Sequence, residues 1–302
     1  MRLLISRHLE NFLALYDARN MHVAAERKGV SQPALTKSLK LLESELGMEL
    51  FLRTSRGLEP TDAGNILYLH ARAIDQEARF AGLDVQELHQ NLGGHIRIGV
   101  GQVLAVSTFP QVLVAFHMQF PKVQATVETG ISTQLVDALV NERLDVVVAA
   151  LPEVPLPERF AATPLFKSDM VVICRQGHPL RSRKTTSLRE LSRYGRVGFV
   201  EDREFEKKSR HMLGSRAERL QPVLQTSSLS IMFGILVATD YYAIVSEMIL
   251  PRARRESLDQ LPVEEGLWQL DIDIMCKSSL MASQPIRTIR EALLTSARDH
   301  NA

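Results

Sequence analysis

Ser31, Gln32, Thr36, Lys37 and Lys40 fall within one short stretch, SQPALTKSLK, and supply hydroxyls, a carboxamide and ammonium groups. Gln, Ser and Thr exchange hydrogen bonds with base edges, and Lys favours guanine or phosphate. Ser31 is a helix N-cap residue, and Pro33 suits a first turn because no donor is lost there. The polar set then lies on the outer face of one helix, with Ala34, Leu35, Leu39, Leu42 and Leu46 turned inward. Further along, MELFLRTSRGLEPTDAG reads as a β-hairpin with Arg53, Thr54, Ser55, Arg56 and Gly57 at its tip. Two arginines and two hydroxyls beside a groove-reading helix suit phosphate or minor-groove contact. Thr61 caps the helix that follows, whose N-terminus can face a phosphate.

These groups need helices to hold them. Leu9, Phe12, Leu13 and Tyr16 recur at helical spacing, and a short helix fits Val23 to Lys28. Ala24 and Ala25 are small enough for a second helix to cross closely, and Gly29 supplies the turn before Ser31. Helix, turn and second helix in this order make a helix-turn-helix, whose second helix enters the major groove. A long helix runs from about Thr61 to Gln90, with Ile66, Leu67, Leu69, Ala73, Ile74, Ala78, Leu83 and Leu88. It is too evenly polar to be buried all round, so pairing with a second copy is expected. The glycines of NLGGHI end it.

After Gly94 the texture changes. Apolar, β-branched runs (HIRIGV, QATVET, DVVVAA, DMVVIC, RVGFV, YAIVS, LDIDIMC) alternate with helical ones (STFPQVLVAFHMQF, STQLVDALVNER, SLSIMFGILVA). That alternation predicts an α/β fold with a mostly parallel sheet, in two subdomains given its length.

Composition narrows the classes. A length of 302 residues with 45% hydrophobic and 24% charged residues fits about two globular domains. The formal charge of +1 excludes a polybasic nucleic-acid binder but leaves room for a local basic patch. Cys174 and Cys276 lie far apart in apolar runs, so both are read as reduced core residues of a cytoplasmic protein. MRLLISRHLENF turns polar too soon for a signal peptide. The longest apolar run, Ile231 to Ala238, is far shorter than the roughly 18 residues of a membrane span. GVGQVL lacks the third glycine and the distal acid of a dinucleotide fingerprint. The histidines show no metal-ligand spacing, and no nucleophile–base pair stands out, so neither metal, cofactor nor catalysis is expected.

The stretch from RHLENF to PTDAG closely resembles the winged helix-turn-helix of LysR-type transcriptional regulators. The matching pieces are Ala24-Ala25, Val30-Ser31-Gln32-Pro33-Ala34, Leu42-Glu43, Leu46-Gly47, Leu50-Phe51, Arg53 and Leu58-Pro60-Thr61-Gly64. Lys28 departs from the family's usual core leucine; its stem is expected to pack while the ammonium reaches water. The resemblance extends over nearly all of the chain, through ETGISTQLVDALVNERLDVVVAAL, LFKSDMVVICRQGHPL and WQLDIDIMCKSS. It implies an N-terminal winged helix-turn-helix (6–63), a linker helix for dimerisation (64–92) and a C-terminal effector-binding half (93–302). That half is similar to periplasmic binding proteins, with subdomain I at about 93–163 plus 270–302 and subdomain II at about 164–269. Implied partners are double-stranded promoter DNA, an organic-acid or aromatic effector, and further copies of the chain up to a tetramer.

Effectors of open α/β sheets sit beyond the carboxyl ends of strands, where helix N-termini offer free amides. Gln102 and Val103 follow the strand ending at Gly101, and Ser132 and Thr133 follow the one ending at Gly130. Thr226 and Ser227, with Ser228, precede another helix, and Asp202 and Arg203 follow VGFV. For each hydroxyl a plain helix cap is the competing reading, and for Asp202 with Arg203 a surface pair. Ser132 matches a position where the family offers a hydroxyl to its effector, whereas Val103 stands where many relatives have Ser or Thr. Asp240 and Tyr242 replace glycines usual in the family, so Tyr241 or Tyr242 is expected to reach the cleft or an interface. Two other classes stay open: an effector-independent architectural DNA binder, and an enzyme with an appended DNA-binding domain.

Overall fold

The computed structural model describes residues 6–54, 57–89, 94–151, 155–200, 203–215, 220–264 and 266–301. The chain divides into two compact units, 1–95 and 96–302.

The first unit opens with α1 (Arg7–Ala18), α2 (Met21–Lys28) and α3 (Gln32–Leu46). Each start is fixed by a side chain: Ser6 accepts from the His8 amide, Asn20 from those of His22 and Val23, and Ser31 from that of Ala34. Gly29 and Gly47 end α2 and α3 with φ of 63° and 68°, the left-handed region that glycine enters without strain. The core packs Phe12, Leu13, Leu15, Ala24, Ala25, Leu35 and Leu39 against Leu50, Phe51 and Leu58. On α3 the inward face differs from the expected one. Ala34 and Leu46 are exposed, and Leu42 is only half-buried. Ser38 turns inward instead, where Asn11 Nδ2 donates to its hydroxyl and His8 Nδ1 lies 2.9 Å away. Leu46 sits in the last turn, where the helix outruns the core. Lys28 also departs from expectation: its ammonium meets Glu10 at 2.8 Å rather than open water.

Strands β1 (Phe51–Thr54) and β2 (Gly57–Pro60) pair antiparallel, with Thr54 opposite Gly57. Helix α4 (Asp62–His89) follows. Its start is locked in place. Thr61 Oγ1 accepts from the Gly64 amide at 3.0 Å and donates to the Glu49 carbonyl at 2.8 Å. A Cβ on Gly64 would come within 2.3 Å of the Leu50 carbonyl oxygen. Tyr68 stacks on Tyr16 at 3.7 Å, while Tyr16 donates to Asn65 and Tyr68 to Asp17. Ile66, Leu69 and Ile74 remain exposed along α4. Leu83 and Leu88 are outside the described side chains.

The second unit is a sheet with helices on its faces. In chain order it comprises β3 (Gly94–Gly101), α5 (Gln102–Val106), α6 (Phe109–Gln119), β4 (Val123–Gly130), α7 (Ser132–Val140) and β5 (Val146–Ala150). There follow β6 (Phe160–Arg175), α8 (Leu188–Leu191), β7 (Arg196–Phe199), α9 (Arg203–Leu213), β8 (Pro222–Thr226) and α10 (Leu229–Ala238). The chain closes with β9 (Tyr242–Ser246), α11 (Leu250–Arg255), β10 (Leu258–Leu261), β11 (Gln269–Lys277) and α12 (Gln284–Asn301). The strand order is β4-β3-β5-β11-β6-β9-β7-β8, with β10 on β6.

Long β6 is what joins the two ends of the sheet. Its first half pairs with β11 and its second half with β9 and β10. The sheet is therefore mixed rather than mostly parallel: β3–β5, β7–β8 and β7–β9 are parallel, and every pairing of β6 and β11 is antiparallel. The β6–β11 register slips between Ile272 and Asp273, beside Pro164, which has no N–H to give to the ladder. At the other end of β5, the fully buried Asp145 carboxylate accepts from the Arg97 amide and its guanidinium, pinning β3 to β5. Among the described residues no helix is long and apolar enough to cross a membrane.

Two substitutions test these locks in separate units. Gly64→Ala should destabilise the N-terminal unit by about 1–3 kcal/mol, because its Cβ meets backbone that must move. Arg97→Met should cost the C-terminal unit about 3–5 kcal/mol by stranding a buried carboxylate. Differential scanning calorimetry of the full chain should show each variant lowering a different transition. A common shift of both would refute the assignment of the two locks to separate units.

Candidate nucleic-acid interface and ligand cleft

The outer face of α3 borders a concavity of about 830 Å³ in the N-terminal unit. Gln32, Pro33, Thr36, Lys37 and Lys40 line it, joined by Arg19, Asn20, Met21, Leu41, Ser44, Gly57 and Leu58. The structure thus brings five expected residues onto one surface. Among the described residues three cations line it and no carboxylate does, which favours a polyanion.

Ser31 and Thr61 are not in that lining, and both hydroxyls serve as helix caps. Arg53 lies on β1 with its side chain outside the described residues, and Arg56 lies outside them entirely. Two contributors escaped the sequence reading. Arg19 ends α1 in the left-handed region and lies over the Tyr16 ring at 4.0 Å. His22 places its Nδ1 2.9 Å from Gln32 Nε2, holding the carboxamide at the groove. The helix break at Asn20 signals a turn there, but no spacing rule shows that the turn borders α3.

In the second unit a cavity of about 130 Å³ opens where β3, β4 and β5 end. Gln102, Val103 and Ser132 line it as expected. Thr133 sits one residue further along α7 and is not in the lining. Thr226 is turned to its own loop, accepting from the Ser228 amide at 3.0 Å, and Ser227 is exposed away from the cavity. Asp202 lies outside the described residues, and so does the side chain of Arg203.

The opposite wall was not foreseen: Met170, Phe199, Phe205, Trp268, Leu270 and Ile272. Phe205 meets Trp268 edge-on at 5.0 Å, and the Arg196 guanidinium backs Phe205 at 4.3 Å from its ring. These residues come from β6, β7, α9 and β11 with the residue just before it, four segments too far apart in sequence for any motif to unite them. Tyr242 does not reach the cavity. It is fully buried behind it, and burial pushes its phenol up to about 12. Asp240 instead accepts two bonds from the Arg175 guanidinium.

The two thiols are withdrawn from chemistry. Cys174 and Cys276 are both free and buried, and burial pushes their pKa values up to about 11 and about 12. Among the described residues no three His, Cys, Asp or Glu side chains group as metal ligands.

Comparison with known proteins agrees with both halves of this geometry. The family model "Bacterial regulatory helix-turn-helix protein, lysR family" matches residues 6–65, and "LysR substrate binding domain" matches residues 89–298. The HTH-type transcriptional regulator GalR of Pseudomonas putida is 30% identical over 254 residues, which is 80% of this chain and 61% of that protein. The hydrogen peroxide-inducible genes activator of Dickeya chrysanthemi is 31% identical over 186 residues, 62% of this chain and 60% of that protein. These matches thus span about three fifths of the relatives' lengths. The solved structure of a full-length OxyR from Pseudomonas aeruginosa, a cysteine-to-aspartate variant, has the same fold, with a TM-score of 0.70 at 20% identity, covering 96% of this chain and 93% of that one. With a helix-turn-helix under one family model and most of the remaining chain under the other, this protein belongs to the LysR family.

Proposed function

We propose that the chain is a transcriptional regulator that reads double-stranded promoter DNA through α3 and responds to a small molecule in the cleft of its second unit. The observation that carries the reading is the groove along α3, with its base-reading groups and its uniform positive charge. Relatives named as transcriptional regulators support it. Pairing of two chains through the exposed Ile66, Leu69 and Ile74 of α4 would present two copies of α3 to the half-sites of an inverted repeat. Further association to a tetramer is part of the same proposal. The cleft favours ligand control over effector-independent binding, since Gln102 and Ser132 bring hydrogen-bonding groups to the lining of an otherwise apolar cavity. For the ligand to switch anything, it must bind two arrangements of the protein with different affinity.

Selection of bound DNA from a random pool by the full-length protein tests this reading. A dyad-symmetric consensus is expected at moderate salt, and enrichment of no sequence would overturn it. On the selected site, Gln32→Ala should lose about 1–3 kcal/mol and relax choice at one base. Lys37→Ala should weaken binding to all sequences and flatten the salt dependence by about one phosphate contact. Unchanged affinity in both variants would move the interface away from α3.

One relative is named as an activator of hydrogen peroxide-inducible genes, which raises the question of a thiol-based response here. The thiols here argue against that route, because only the thiolate is reactive and both groups are buried with raised pKa values. Native protein at pH 8 should leave 5,5′-dithiobis(2-nitrobenzoate) nearly unreacted until it is denatured, and micromolar peroxide should not alter operator binding. Rapid labelling of either cysteine in the native state would reopen a redox role.

A further inference from the structure

The cleft also carries information about what it binds. Its volume, about 130 Å³, is close to that of an apolar protein cavity that accepts a benzene-sized guest. The wall is largely hydrocarbon and aromatic, from Val103, Ile131, Met170, Phe199, Phe205, Trp268 and others.

Charge is the more telling property. No lining residue among those described carries a formal charge. The Arg196 guanidinium is not in the lining: it lies over the Phe205 ring, and its Nε donates to the Leu220 carbonyl. An ionised ligand would therefore be desolvated with no counter-charge on the described wall, which is strongly unfavourable.

Hydrogen-bonding capacity is present but neutral. Gln102 and Ser132 bring a carboxamide and a hydroxyl to the rim, and Ile131, the residue capping α7, gives its first amides no side-chain partner. Ser246 also lines the cavity, yet its hydroxyl is engaged with Ser168 at 2.6 Å. Trp268 is 95% buried, and its Nε1 has no hydrogen-bond partner among the described residues.

We propose that the cleft selects an uncharged molecule of single-ring size carrying a hydrogen-bonding oxygen, with its ring against Trp268 and its oxygen toward Gln102 and Ser132. This rests on the regulator reading above and adds the ligand class to it. It excludes simple carboxylates and amines as the preferred ligands.

Trp268 makes the test direct, because it is the only tryptophan in the chain. Full-length protein is titrated with benzyl alcohol, benzoate and benzylamine, which share one ring and differ in charge. Trp268 emission and Tm are read together. Benzyl alcohol is expected to change the emission saturably and to raise Tm, binding at least about tenfold more tightly than either ion. Equal or tighter binding of benzoate or benzylamine overturns the proposal, and so does failure of all three to bind.

A charge-swap variant supplies the converse. Gln102 is half-exposed, so Gln102→Arg is compatible with folding and places a cation at the rim. It should reverse the order, with benzoate now preferred by roughly tenfold. An unchanged order in a variant that keeps the parent's Tm would show that the cleft does not read charge at this position. Binding of the unliganded parent to the selected DNA separates the two readings: its absence counts against the regulator, and a wrong ligand order counts only against the ligand class.

Discussion

Everything at the N-terminal end depends on how the first turn of α4 is seated. Thr61 joins three pieces of backbone at once, its own helix, the Glu49 carbonyl before β1, and through its amide the Leu50 carbonyl. Gly64 lets the helix lie directly on that carbonyl. The Tyr16–Tyr68 stack, with each phenol bonded to the opposite helix, then fixes α4 against α1. Helix α1 in turn carries α3 through the buried Ser38, His8 and Asn11 contacts. The result is a continuous rigid path from the exposed apolar face of α4 to the groove along α3. In the proposed dimer, the spacing between the two copies of α3 would therefore be set by packing within each chain as well as by the pairing itself.

The second unit solves a different problem, an opening between two halves of one sheet. Strand β6 belongs to both halves, pairing with β11 along its first half and with β9 and β10 along its second, so neither half can leave the other without bending it. Pro164 and the register slip put the weakest stretch of that ladder beside Ile272, a residue of the cavity wall. The pinned Arg97–Asp145 end of β3 and β5 lies at the opposite end of those strands from the cavity.

The sequence was most informative where function and fold use the same local rules. Helix caps at Ser31 and Thr61, the small pair Ala24-Ala25 and the hairpin around Gly57 follow from backbone chemistry within a few residues, and each stands where it was expected. Reading failed where tertiary context decides. Ala34 and Leu46 were expected inward and are exposed, while Ser38 is buried against partners that lie a whole helix away. Gly130 and Gly101 mark strand ends correctly, yet hydroxyls at equally good helix starts, Thr226 and Ser227, miss the cavity. The aromatic wall of Phe205 and Trp268 comes from distant segments, and only the folded sheet reveals that it faces Ser132.

A ligand of single-ring size bounds the switch it can drive. With roughly eight non-hydrogen atoms and a ceiling of about −1.5 kcal/mol per atom, total binding energy cannot exceed about −12 kcal/mol. Moving an equilibrium from 1:99 to 99:1 needs a difference of about 5.5 kcal/mol between the two arrangements. Nearly half of the best attainable affinity would then have to be realised in one arrangement only. An apolar wall meets that demand better than a few polar contacts, since closing the cleft removes area from water on both sides of the ring at once.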